Sequence, residues 1–502
     1  MKRAALALIV LSMLRIASTW TTLSATVDEP MHVSAGLQLY TQRVYTYQPE
    51  NPPLPRLVFA LPALLGGMDF DPSRPIDQQL LRVFYSDDRY KTNLVLGRAG
   101  NLVFFLIASI AVWLWARRTL SETGGFIATL LFTFQPMVVG HAGLATHDLP
   151  ATAGVALSLL AFARWLDEQT AKRAMLFGAA FGFAVLCKFS CIGFVPAACL
   201  VMYVVRRDFR WRALVPSFFA ALLATLLVVW AGYAFTIEPL LAGLRGLAAV
   251  NRAGHFGFLF GDVRTTGWWH YFPATVALKS TLASLVLAFC SLSRAKRGIS
   301  GAPALNEPLP LPVAPEIPRF ARDKLIAIEP FAAAIAILLI AMPSHLNIGV
   351  RHVLPLYAPL AVAGAAGALA FKRKWIAVAL FMWHTGASVI AGRDAFPYFN
   401  EAAGRHPERF LLDSNLDWGQ DALRLKRVLR EKKVDRVGLA VLGWHDWDAL
   451  GYPPHYALQR DVPSQGWVAV SEHLLGLARG APWLEGRRYE RVGTSIRLYH
   501  IE

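Results

Sequence analysis

Residues 98–118 read RAGNLVFFLIASIAVWLWARR, an uncharged and mostly apolar run bounded by Arg98 and by the pair Arg117-Arg118. Its length matches the roughly 20 residues a helix needs to cross a hydrocarbon core, and a basic pair at one end is the mark of a cytoplasmic boundary. Ten more apolar blocks of this kind lie at 4–20, 124–140, 148–166, 172–188, 190–206, 213–236, 271–291, 325–342, 352–371 and 375–391. The chain has 502 residues, 55% of them hydrophobic and only 17% charged, and a soluble two-domain protein would scatter the apolar residues it gathers into blocks. We therefore expect an all-α polytopic membrane protein of about eleven transmembrane helices.

The formal charge of +16 follows the same plan. Lys and Arg collect in every second connection: Lys2/Arg3, Arg117/Arg118, Lys172/Arg173, Arg206/Arg207/Arg210/Arg212, the 294–324 segment, and Lys372/Arg373/Lys374. This alternation is the positive-inside pattern, so topology accounts for the basicity and nucleic-acid binding is excluded as its cause. Lys2-Arg3 before an apolar run resembles a signal peptide, but no small-residue cleavage site follows, and a retained first span is expected. A cytoplasmic N-terminus and an odd number of spans put the C-terminus outside, at the cytoplasmic (inner) membrane of the cell. The four cysteines, Cys187, Cys191, Cys199 and Cys290, fall in or beside spans and give neither a disulfide framework nor a zinc site.

Two parts are expected: a transmembrane domain over 1–391 and a C-terminal extramembrane α/β domain over 392–502. The outer segments are 21–97, 141–148, 237–270 and the tail. Within the first, Asn51-Pro52-Pro53-Leu54-Pro55 leads into an apolar stretch too short to span, which suggests a helix along the membrane surface with Pro55 early in it. The cytoplasmic 294–324 segment has six prolines between 303 and 318 and reads as an extended linker. In the tail the pattern predicts a helix over 417–433, strands at Arg436–Leu442 and Trp467–Val470, a short helix near 472–479 and a strand at Ser495–His500. Its sixteen basic and fifteen acidic residues nearly cancel, which fits a folded domain better than an anion-binding arm.

The polar residues of interest lie at one face. Asp28-Glu29-Pro30-Met31-His32 follows the first span directly, and an acidic pair at the interface suits a general base or a metal ligand; helix-start preferences alone also place acids and Pro there. His147-Asp148-Leu149-Pro150 opens the fourth span, where Asp148 also reads as a cap. Three cations lie at comparable depth: Lys188 at a span end, Lys279 two turns inside a span, and Arg351 before another. A charge as deep as Lys279 is costly unless a carboxylate or phosphate compensates it.

These pieces occur in an order that resembles a known family. Asp28-Glu29, Asn51-Pro52-Pro53-Leu54, Asp148-Leu149-Pro150 and Lys188-Phe189-Ser190 are followed by Trp268-Trp269-His270-Tyr271-Phe272-Pro273 with Lys279-Ser280, then by Asn347-Ile348-Gly349-Val350-Arg351-His352. Tyr398-Phe399-Asn400-Glu401 and Asp413-Ser414-Asn415-Leu416-Asp417-Trp418-Gly419-Gln420-Asp421 complete the series. Together they resemble the polyprenyl-phosphate-sugar-dependent glycosyltransferases of the GT-C fold, in glycosyltransferase family 39, which includes protein O-mannosyltransferases and lipid A aminoarabinose transferases. The resemblance covers nearly the whole chain. Asn51 departs from it, standing where many relatives carry His.

The resemblance implies an inverting transferase using a sugar on a polyprenyl phosphate, drawn from the outer leaflet of the surrounding lipid and passed to an acceptor lipid, glycan or protein. With the chemistry of the outer face, it leads us to expect Asp28, Glu29 and Asp148 as catalytic residues, and His147, Lys188, His255, His270, Lys279 and Arg351 as substrate-binding residues. The absence of a Gly-rich phosphate loop suits a lipid-borne donor. A divalent metal stays open, with Asp28, Glu29 and His255 as candidate ligands, although their spacing is no metal signature. The competing reading is a secondary transporter with Asp28, Asp148 and Lys279 as a relay; against it, the sequence has no internal repeat and its acids lie at one face instead of mid-membrane. A non-catalytic scaffold using the tail is a third reading.

Overall fold

The structure is a computed structural model and describes residues 1–206, 211–299, 319–477 and 480–502. All eleven expected blocks are helical. Four helical stretches among the described residues, Tyr90–Thr119, Asp148–Asp167, Val350–Ala370 and Lys374–Asp394, are long and apolar enough to cross a membrane, and two bent pairs raise the number to six. The other blocks correspond to Lys2–Ala17, Ala171–Cys187, Cys191–Arg206, Trp211–Gly232 and Arg319–Ala341. Leu223, Leu226 and Trp230 on one helix, and Trp375, Met382 and Ile390 on another, point outward from the bundle. Large apolar side chains exposed in this way belong in lipid.

The bent pairs replace two expected straight spans. Glu122–Thr133 and Pro136–Ala142 meet at 63°, because Pro136 opens the second helix and pushes Gln135 into extended backbone. Tyr271–Lys279 meets the next helix at 114°, with Ser280 extended. A break at that depth frees backbone carbonyls, which must find partners inside the protein. Asn400 supplies them: its side-chain amide donates to the carbonyls of Ala277 at 2.6 Å and Ser280 at 2.7 Å.

The long first loop is mostly helical. Glu29–Gln42 crosses Pro53–Leu65 so closely that a Cβ on Gly36 would lie 2.2 Å from the Arg56 carbonyl. Pro53 and Pro55 both sit in the first turn of the second helix; Phe59, Ala60 and Ala63 are buried while Leu61 and Leu65 are exposed. One face therefore packs on the bundle and the other is free for a membrane surface. The 237–270 segment, unassigned from its pattern, holds the helix Glu238–Ala253 and a hairpin of β1 (Gly257–Leu259) and β2 (Asp262–Arg264).

The tail has one five-stranded sheet, formed by β3 (Val437–Ala440), β4 (His455–Ala457), β5 (Gly466–Ser471), β6 (Glu490–Val492) and β7 (Ile496–Ile501) in the order β4-β3-β5-β7-β6. β3 runs parallel to β4 and β5, and β7 antiparallel to β5 and β6. The three expected strands are present; the short edge strands β4 and β6 carry no period-2 signal. The tail helix begins at Ala422, later than expected, because 413–421 serves another purpose. The short helix is Glu472–Gly476, and the end of its expected range, like most of the Pro-rich linker, lies outside the described residues.

Candidate active site

Four charged residues from distant parts of the chain meet at one end of the bundle. Arg351 Nη1 donates to Asp28 Oδ2 at 2.8 Å and lies 4.0 Å from Asp148 Oδ2. Lys188 Nζ donates to Asp148 Oδ1 at 2.6 Å. The charges thus alternate in a chain, Asp28, Arg351, Asp148, Lys188, and two acids offset two bases. Asp148 Oδ2 accepts no hydrogen bond among the described residues. The two acids differ in access: the Asp28 side chain is 30% exposed and that of Asp148 only 1%.

Local backbone explains each placement. Asp28 occupies the capping position of Glu29–Gln42, yet its side chain makes no capping hydrogen bond, so the carboxylate is free to turn to Arg351. Asp148 opens the helix Asp148–Asp167 from within. Lys188 is extended where Ala171–Cys187 stops, before Cys191–Arg206 begins; that break aims the ammonium across at Asp148.

Arg351 is held by the tail. Its Nε donates to Ser414 Oγ at 3.1 Å and its guanidinium lies 4.3 Å from the centre of the Trp418 ring, a cation–π contact. Ser414 Oγ in turn donates to the Ile348 carbonyl at 2.6 Å, and Asn415 Oδ1 accepts from Val350 N at 3.0 Å. Gly349 permits this approach, since a Cβ there would lie 2.2 Å from Ser414 Oγ. The same run reaches the segment before Asp28: Val27 N donates to the Trp418 carbonyl at 3.1 Å and Ser24 N to that of Gln420 at 2.9 Å. Residues 413–421 therefore clamp both partners of the Asp28–Arg351 pair. Asp417 is buried within the clamp, and burial pushes its carboxyl up to about 7 against the pull of the His473 and Gly419 N–H groups.

Other expected site residues are placed differently. Glu29, expected beside Asp28 in catalysis, is buried and bound in two parallel hydrogen bonds of 2.7 Å by Arg98. It also accepts from Thr26 N and Ala145 N, both at 2.9 Å, so its lone pairs are spent. Arg98 satisfies its remaining donors on the carbonyls of Trp20, Leu23 and Ser24. Lys279, expected to meet a carboxylate or phosphate, is fully buried at the break between two helices, its ammonium donating to the carbonyls of Phe396 and Asn415 and lying 4.2 Å from the Phe399 ring centre. Backbone dipoles replace the anion, and Lys279 does not join Lys188 and Arg351.

His147 hydrogen-bonds the Pro52 carbonyl through Nε2 at 3.0 Å, and its ring centre is 4.4 Å from that of His32. Arg56 Nε donates to His32 Nδ1 at 3.3 Å, and burial, followed by the neighbouring His147, Arg56 and Arg351, holds the His32 imidazole well below its ordinary pKa and so neutral. His255 is exposed near Asp413 and His473. His270 is half-buried at the start of Tyr271–Lys279, its ring against Trp269. Among the described residues no group of three or more His, Cys, Asp or Glu is arranged to hold a metal, and the candidate set Asp28, Glu29 and His255 does not converge, because Arg351 takes the first and Arg98 the second.

Reading the sequence alone misses Arg98, Ser414 and Trp418. Arg98 carries a signal, a basic residue at the span end that the alternation of charged connections assigns to the outside, against the positive-inside pattern. Ser414 and Trp418 lie in a motif already singled out, but nothing local says that it reaches Arg351.

Residues 91–233 match the family model described as dolichyl-phosphate-mannose-protein mannosyltransferase. ArnT from Cupriavidus metallidurans bound to undecaprenyl phosphate superposes with a TM-score of 0.54 at 12% identity, over 98% of this chain and 97% of that one. ArnT from the same organism in the apo state gives a TM-score of 0.53 at 13% identity, with the same coverage of both chains. No curated protein matches the sequence. Polytopic helices, a small C-terminal sheet and a likeness to ArnT over nearly the full length of both chains lead to one conclusion: the chain has the GT-C fold of membrane glycosyltransferases.

Proposed function

We propose that the chain transfers a sugar from a polyprenyl phosphate to an acceptor hydroxyl at the outer face of the cytoplasmic membrane, with inversion at the anomeric carbon. The observation that supports this reading most is the convergence of Asp28, Arg351, Asp148 and Lys188. The acceptor oxygen attacks the anomeric carbon, the bond from that carbon to the phosphate oxygen breaks, the hydroxyl proton passes to Asp28, and polyprenyl phosphate leaves. Asp28 is the base because it is the accessible acid of the pair. Arg351 and Lys188, fixed beforehand by neighbouring groups, stabilise charge gathering on the departing phosphate. Asp148 positions both cations. The same fold is seen in ArnT bound to undecaprenyl phosphate, which favours this donor class over a nucleotide sugar.

Arg351→Ala tests the assignment. It should lower kcat/KM for the lipid-linked donor by roughly a hundredfold while leaving the acceptor KM nearly unchanged. Equal donor dependence in variant and wild type would make Arg351 a structural partner of Asp28 only.

The orientation belongs to the same proposal: N-terminus cytoplasmic, tail outside. A phosphatase fused after Glu502, active only beyond the membrane, should be active. Activity of a cytoplasm-only reporter at that position would invert the topology and remove the site from the outer leaflet.

A further inference from the structure

At the opposite end of Asp148–Asp167 from Asp148 lies a cavity of about 830 Å³, between that helix, the end of Asn101–Thr119 and the start of Ala171–Cys187. Arg164 on its rim is sixteen residues from Asp148, about 24 Å along the helix, so the cavity is separate from the site above. Its polar half holds four cations, Arg118, Arg164, Lys172 and Arg173, and one carboxylate, Glu168. Arg118 pairs with Asp167 and Arg173 with Glu168, whereas Arg164 and Lys172 have no carboxylate partner among the described residues. Arg118 Nη1 is buried and without a hydrogen-bond partner among the described residues, an unusual state for a guanidinium nitrogen. The other half of the cavity is apolar, lined by Leu157, Leu160, Leu176 and Phe183. Leu176 is 57% exposed, so the apolar wall continues to the outer surface of the bundle.

Two rim cations without a carboxylate among the described residues, Arg164 and Lys172, set above an apolar wall fit an amphiphile with an anionic head. The volume is many times what a lone phosphate fills, and a site for the free ion would not need an apolar half. We propose that this cavity binds an anionic phospholipid of the surrounding leaflet, with its phosphate among Arg118 Nη1, Arg164 and Lys172 and an acyl chain along Leu157, Leu160 and Phe183. Basic pockets between transmembrane helices are suited to such headgroups. The bound lipid would tie three helix ends together, including the end of the helix that carries Asp148.

Native mass spectrometry of the purified chain, titrated with phosphatidylglycerol or phosphatidylcholine, tests the proposal. Wild type should retain phosphatidylglycerol in preference to phosphatidylcholine. Arg164→Gln combined with Lys172→Gln should weaken phosphatidylglycerol binding roughly thirtyfold and leave phosphatidylcholine unchanged. The control, Arg373→Gln with Lys374→Gln, removes the same charge from exposed residues away from the cavity and should change binding less than twofold. Arg164→Lys with Lys172→Arg keeps both charges and should restore binding, which separates the site from a folding defect. Equal retention of the two lipids by wild type, an equal loss in the control, or displacement of phosphatidylglycerol by millimolar inorganic phosphate would each overturn the proposal.

Discussion

Asp28→Asn is expected to accumulate and melt like wild type while sugar transfer falls by roughly a hundredfold to ten-thousandfold, the range a general base contributes. Asn has the size of Asp and still offers an oxygen to Arg351, so the 2.8 Å contact has a replacement, but the site for the proton is gone. A helix-start role would predict little change in stability or activity, since Asn caps well. The geometry already weighs against that role, because Asp28 makes no side-chain capping bond. Turnover and detergent melting temperature measured on one preparation decide the matter. A fully active Asp28→Asn enzyme would shift the base to Asp148, whose Oδ2 accepts no hydrogen bond among the described residues and lies 4.0 Å from Arg351 Nη1.

Arg98→Ala should have the largest effect on the amount of folded protein. The variant strands Glu29 in the interior with two backbone N–H groups and the Thr26 hydroxyl as its remaining donors, and it orphans the carbonyls of Trp20, Leu23 and Ser24. Breaking a buried pair on one side costs about 3–5 kcal/mol, a large share of a typical folding free energy. Expression in the membrane fraction should fall severalfold or more, with a lowered melting temperature in what remains. Glu29→Gln keeps part of the hydrogen bonding and should be milder, changing stability more than turnover per folded molecule. Loss of turnover at unchanged stability in Glu29→Gln would return Glu29 to the chemistry.

The helices were legible because hydropathy over some twenty residues reports burial in lipid directly, and all eleven blocks proved helical. The breaks were not, since one extended residue, Gln135 or Ser280, changes the path of the chain without changing the hydropathy of its window. Lys279-Ser280-Thr281 interrupts its block with three polar residues, the one local hint of a bend. Asp28, Asp148, Lys188 and Arg351 could be picked out as charges too costly to leave at a span end unpaired. Which charge meets which could not, because the choice depends on a segment more than sixty residues beyond Arg351 folding back over it. Lys279 shows the limit of the cost argument: a buried cation needs compensation, and carbonyl oxygens served where an anion was expected. Glu29 shows the converse, an acid beside the expected base that is consumed by Arg98.

The most direct test of the central claim is transfer in proteoliposomes loaded with a polyprenyl phosphate carrying a radiolabelled sugar, with label followed in the lipid, acceptor and free-solute fractions. Wild type should move label from lipid to acceptor and release polyprenyl phosphate in equal amount, and Asp28→Asn should leave the label on the lipid. Label that stays on the lipid with wild type, or a solute that crosses sealed vesicles with no bond to the sugar broken, would contradict the account and favour transport.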